Sequence, residues 1–171
     1  MKKIVFILLA STSVLFIGKS AKAQSSNTNS GNYQTAVGVK FGAYEDGFSV
    51  KYFTSDQVSL EGILGFRDHG VVITGLYELN QEAFNTQGLK FYYGAGAHIG
   101  AVGKGEYHTI GGDNQYYSDS HILLGADGVL GLEYTIPQAP IAISLDLNPR
   151  VELASGPFFD IAPGLGIKYT F

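Results

Sequence analysis

The strongest constraint in this sequence is a period-2 alternation that recurs in eight segments: 34–44, 47–54, 57–67, 70–79, 88–101, 121–135, 141–153 and 158–171. Turn-forming runs such as Arg67-Asp68-His69-Gly70 and Pro137 to Pro140 separate them, and no helix of ordinary length fits between. In every segment one phase contains no charge, no amide and no Ser or Thr, as in Val58, Leu60, Gly62, Leu64 and Phe66. The other phase collects the ions: Lys40, Lys51, Arg67, Lys90, Arg150 and Lys168 with Glu61, Glu78, Asp127, Glu133, Asp146, Glu152 and Asp160. Successive side chains of a strand point to opposite faces, so the chain encodes a sheet with one apolar face and one ionic face.

Alternation alone does not say which face is inside, because a soluble sandwich or ligand-binding barrel alternates too. Position along the strands decides. If the chain zigzags, Tyr52, Tyr77, Phe91, Tyr93, Tyr134, Tyr169 and Phe171 gather at one rim, and Phe41, Phe48, Phe66 and Phe159 at the other. Between them the apolar phase is aliphatic or small, as at Val50, Ile73, Ala95, Ala126, Leu145 and Leu165. Two aromatic girdles around an aliphatic band match a surface facing lipid. Connections on the side of the chain ends are short to moderate, whereas the other side holds the one long segment, Val102 to Ser120. Short periplasmic turns, long extracellular loops and an even strand number are the pattern of bacterial outer-membrane barrels. The expected fold is all-β, an eight-stranded antiparallel up-and-down transmembrane β-barrel.

The start of the chain supplies an export route. Lys2 and Lys3, the apolar run Ile4 to Ile17, and Ala21-Lys22-Ala23 read as a signal peptide over 1–23, cleaved before Gln24. Residues 24–32, QSSNTNSGN, read as a flexible linker, leaving 33–171 for the barrel domain. The chain has no Cys, which excludes disulfide scaffolds, Cys-based metal sites and a lipid-modified N-terminus. Four of the eleven basic residues lie in the leader, so the remainder carries seven bases against fifteen acids, and nucleic acid is not an expected partner.

The final residues, Gly164-Leu165-Gly166-Ile167-Lys168-Tyr169-Thr170-Phe171, sharpen the picture. Over 33–171 the chain resembles the small eight-stranded outer-membrane barrels of the OmpX and OmpA transmembrane-domain type. The resemblance implies that Gly166, Tyr169 and Phe171 form the C-terminal signal read by the barrel-assembly machinery; Gly164 departs from the polar residue usual upstream. It also implies outer-membrane lipid as the surroundings. No segment follows Phe171 here, so the expectation is a barrel without the peptidoglycan-binding domain some relatives carry.

An eight-stranded barrel is about wide enough inside for side chains alone. The thirteen inward ions are therefore expected to neutralise one another and plug the lumen, with Lys51 on Glu61, Lys90 on Glu78 or Glu133, and Arg150 on Asp160 as adjacent-strand pairs. His98 and His121 point inward near the loop rim, His69 and His108 lie in loops, and no short ligand spacing connects them; no metal or cofactor is expected. Ser118, Asp119, Ser120 and His121 contain the residue types of a hydrolase, as a lipid A modifying enzyme would need. Ser120 and His121 are neighbours, however, and diverge in an extended segment. Gly94, Gly96, Gly100, Gly103 and Gly105 are not followed by the helix a phosphate loop requires; inward Gly instead admits a bulky neighbour. Residues 102–120 are the candidate contact with an extracellular partner, through Tyr107, Tyr116 and Tyr117. The leading reading is a monomeric, non-enzymatic barrel serving envelope structure or loop-mediated surface interaction. The alternatives are a lipid A modifying enzyme, a narrow pore and a soluble periplasmic ligand-binding barrel.

Overall fold

The structure is a computed structural model that describes residues 33–43, 45–67, 69–107, 115–154 and 158–171. The signal peptide and linker assigned to 1–32 lie outside the described residues, as does His108. Among the described residues ten strands form in chain order. β1 (Thr35–Gly42), β2 (Asp46–Ser55), β3 (Val58–Arg67), β4 (Gly70–Glu82) and β5 (Leu89–Val102) are followed by the short β6 (Gly105–Tyr107) and β7 (Gln115–Tyr117). β8 (His121–Thr135), β9 (Ile141–Glu152) and β10 (Phe158–Thr170) complete the chain. Eight of them close a barrel in the cyclic order β1-β10-β9-β8-β5-β4-β3-β2, every pair antiparallel. β6 and β7 form a separate hairpin in the long loop, two strands the alternation did not announce.

β1 pairs with β10 from Ala36↔Thr170 to Gly42↔Gly164, which brings both described chain ends to one rim. The turns there are compact because the backbone takes left-handed positions at Phe84, Asn85, Gly88 and Gln138. Gly88 is required twice over: its φ is +83°, and a Cβ would stand 2.6 Å from the Thr135 carbonyl oxygen. The β8–β9 ladder is interrupted between Asp127↔Arg150 and Leu130↔Leu147, where Pro149 has no N–H to donate.

The two faces divide as the alternation requires. No member of the apolar phase is buried, and Leu145, Ile73 and Ile99 are among the most exposed large side chains, at 63%, 58% and 54%. The aromatic rims are real: Phe48 packs edge-on against Phe66 at the loop rim, and Tyr169 against Phe171 at the rim of the chain ends. Meanwhile Lys51, Glu61, Glu78, Glu133, Asp160 and Lys168 are buried almost completely. In water this arrangement would expose the apolar surface and bury the ions, the reverse of a soluble barrel, so the soluble periplasmic reading is overturned. A hydrocarbon surround and a closed ladder with no free edge make it stable.

Candidate functional site in the barrel lumen

All thirteen predicted lumen ions lie inside the wall; Arg67, at the loop rim, is half-buried and the other twelve are buried. The structure arranges them in two ionic layers. Toward the rim of the chain ends, Lys51 Nζ lies 3.0 Å from Glu78 and 3.4 Å from Glu133, while Lys168 Nζ lies 3.0 Å from Glu61 and 3.5 Å from Glu133. Tyr33 closes this layer from below. Its hydroxyl donates to Glu133 at 2.5 Å and its ring packs edge-on against Phe53. Burial, aided by the Glu133 carboxylate, holds the Tyr33 hydroxyl well above the usual tyrosine range.

Toward the loop rim a second layer runs as a chain of alternating sign. Glu152 Oε2 faces His98 Nε2 at 3.0 Å, and His98 Nδ1 faces Asp127 at 2.8 Å. Arg150 binds Asp127 at 2.8 Å and Glu45 at 3.0 Å, and Glu45 also lies 3.7 Å from Arg67. Both imidazole nitrogens of His98 meet carboxylate oxygens, which only accept, so each nitrogen carries a proton in this arrangement. Neither is left to act as a base.

Between the layers sits an apolar cluster of Ile63, Leu76, Tyr92 and Val129. The same level is completed by Lys40 on Asp146 at 3.1 Å, with the Tyr92 hydroxyl donating to Asp146 at 2.6 Å. A cavity of about 40 Å³ remains on the loop side, lined in part by Lys40, Thr74, Asn148 and Arg150. That is room for a few water molecules. Thr74 lines it, and its hydroxyl has no hydrogen-bond partner among the described residues.

The expected pairings are corrected. Lys51 turns from Glu61 to Glu78 and Glu133, and Arg150 from Asp160 to Asp127 and Glu45. Lys90 lies over the Phe53 ring at 4.5 Å instead of on Glu78 or Glu133. For the lysines the physical reason is reach: across a narrow lumen Lys51 and Lys90 contact strands two or more places away as easily as the adjacent one, whereas Arg150 has a register partner on each side and takes Asp127 of β8 over Asp160 of β10. Inward glycines make the space. A Cβ on Gly125 would collide with the His98 ring, one on Gly65 with the Glu45 carboxylate, and one on Gly131 would stand 2.6 Å from the Tyr92 ring.

Glu45, Tyr33, Tyr92 and Asn148 are lumen residues that sequence reasoning missed. Glu45 reads as a turn acid and enters only because Gly65 vacates its place; an inward glycine opposite an acid is the one signal that pointed to it. Ser118, Asp119, Ser120 and His121 are all exposed at the loop rim, with His121 opposite Val102. Tyr116 is 67% exposed on the hairpin, while the side chains of Tyr107 and Tyr117 fall outside the described part. Tyr169 and Phe171 are exposed on the lipid side, and Gly166 is buried against the Ser144 hydroxyl. Among the described residues no group of three or more His, Asp or Glu converges in a metal-holding geometry.

No protein-family model matches the chain, and no curated protein matches it in sequence. Among solved structures it is similar to the N-terminal β-barrel domain of Pseudomonas aeruginosa OprF, with a TM-score of 0.62 and 19% identity over 82% of this chain and 100% of that one. It is also similar to neisserial surface protein A, NspA, with a TM-score of 0.46 and 13% identity over 81% of this chain and 95% of the other. At such identities the likeness to the OprF domain is one of fold.

Proposed function

We propose that this chain, which has the fold of the small eight-stranded outer-membrane β-barrels, is a sealed, monomeric wall element of a bacterial outer membrane that presents residues 102–120 as its outward contact. The observation that carries the reading is the lumen: two ionic layers separated by Ile63, Leu76, Tyr92 and Val129, with a cavity of about 40 Å³ on the loop side. Such a stack of buried, paired side chains favours a plug over a narrow pore. The double engagement of His98 by carboxylates and the exposed, dispersed Ser118 to His121 favour a non-enzymatic role over lipid A chemistry. Export through the leader 1–23 and recognition of Gly166, Tyr169 and Phe171 by the barrel-assembly machinery belong to the same proposal.

The test is single-channel recording on purified protein in planar bilayers, after an unheated gel has established that the barrel is folded. A sealed lumen gives no ohmic steps. Steady ohmic conductance from the folded form would refute the plug. Deletion of 105–117 tests the contact role: it should leave barrel folding intact while removing surface interaction phenotypes, and unchanged phenotypes would sink that part.

A further inference from the structure

The ionic layer nearest the chain ends forms a ring. Glu61, Lys168, Glu133, Lys51 and Glu78 follow one another in contact, with ion pairs on four of the five edges. The fifth edge joins Glu61 of β3 to Glu78 of β4, diagonal neighbours on the inner face of the β3–β4 ladder that are 2% and 0% exposed. Their outer oxygens are satisfied: Glu61 Oε1 accepts from Ser49 at 2.7 Å and from Lys168, and Glu78 Oε2 from Ser59 at 2.9 Å and from Lys51. Their other oxygens, Glu61 Oε2 and Glu78 Oε1, have no hydrogen-bond donor among the described residues.

Two ionised carboxylates side by side in a buried site repel one another, and neither can donate a hydrogen bond to the other because each oxygen only accepts. The other charges nearby do not remedy this. Lys40 on β1 is engaged by Asp146 of β9, Lys90 on β5 lies over Phe53 of β2, and the Tyr33 and Tyr92 hydroxyls are directed to Glu133 and Asp146. Within the ring, two lysines face three carboxyls, and one proton makes the count even.

We propose that Glu61 and Glu78 form a buried proton-binding site, holding a single shared proton at neutral pH as an acid–carboxylate pair. The bound proton closes the ring, neutralises it, and supplies the one hydrogen bond the two orphaned oxygens lack. It also makes this layer a charge store that alkali can open from the side of the chain ends, where the buried cluster of Tyr33, Ala36, Phe53 and Ala142 lies.

Infrared spectroscopy of the folded barrel in detergent tests this directly and does not depend on whether the lumen conducts. At neutral pH the wild type should show the carbonyl band of a protonated carboxylic acid, shifted by carbon-13 labelling of glutamate. The band should be absent from both Glu78→Gln and Glu61→Gln, because in each the new amide donates to the remaining carboxylate and replaces the proton. Each single variant should unfold at the urea concentration of the wild type, and Glu61→Gln/Glu78→Gln at a lower one, since it leaves the ring with excess positive charge. No protonated-carboxyl band in the wild type, or a band that survives in either single variant, would overturn the proposal. The wild-type spectrum alone decides it if the variants do not fold.

Discussion

Replacing Leu147 by Arg separates a lipid-facing wall from a water-facing one by sign. Leu147 is 47% exposed and sits near the middle of β9, between Leu130 of β8 and Pro163 of β10. At about 3.3 Å per residue and a tilt of roughly 40°, it lies about 15 Å above the lower end of its strand, at the bilayer midplane. A guanidinium there costs about 2–4 kcal/mol, whereas Ile122→Arg, one residue into β8 at the loop rim, costs about 0–1 kcal/mol. The midplane loss corresponds to roughly a 30- to 700-fold drop in the folding equilibrium. Were the same face in water, an exposed Leu to Arg change would fall within about 0.5 kcal/mol of neutral. The assay is a urea titration of the protein in phosphatidylcholine vesicles, reading the folded fraction as the unheated band on a gel. Equal costs at 147 and 122, or none at 147, would refute the assignment of this face to lipid.

Lys51→Met leaves Glu78 without its ion-pair partner and Glu133 without one of its two, and should lower stability by about 3–5 kcal/mol, with part of the loss recovered in Lys51→Met/Glu133→Gln; the same urea titration measures both. Gly96→Ala drives a methyl into the Gly75 carbonyl and should abolish the heat-modifiable gel band, whereas Gly62→Ala points into open space and should leave it unchanged. Tyr33→Phe removes the donor to Glu133 and should cost about 1–3 kcal/mol at neutral pH. Because folding holds the Tyr33 hydroxyl protonated to higher pH, that stabilisation is complete below the ordinary tyrosine value of 10.0 and is lost as the pH climbs above it. Wild type should therefore lose its advantage over Tyr33→Phe in strong alkali, as followed by urea midpoints.

The strand pattern and the two faces were legible because they depend on one local rule, the alternation of side chains, repeated eight times. The alternation predicts β8 over the residues it occupies, and it predicts an end to β4 at 79 where the ladder continues to Glu82, because Asn80 and Gln81 look like turn residues yet pair with Tyr92 and Phe91. The partners of the lumen ions were not legible. Register fixes which residues are adjacent across a ladder, but Lys51 bypasses Glu61, its direct register neighbour, for acids on β4 and β8. Such choices depend on where glycines leave room, a property of the closed lumen and not of any one segment. Glu45 shows this most plainly, since nothing in Tyr44-Glu45-Asp46-Gly47 distinguishes an acid that turns inward from one that stays in water.

Closure of the wall by β1 and β10 joins segments that lie almost a whole chain apart. Until β10 arrives, β1 and β9 both present open ladders, and in hydrocarbon each unmet backbone group costs several kcal/mol. The ionic ring would be open on the same side, since Lys168 is one of its two cations. A partly inserted chain is thus penalised twice, at its edges and in its interior. Folding of this barrel is consequently governed by the slowest, most distant contact, and its kinetics should report arrival of the last strand and not the formation of any hairpin.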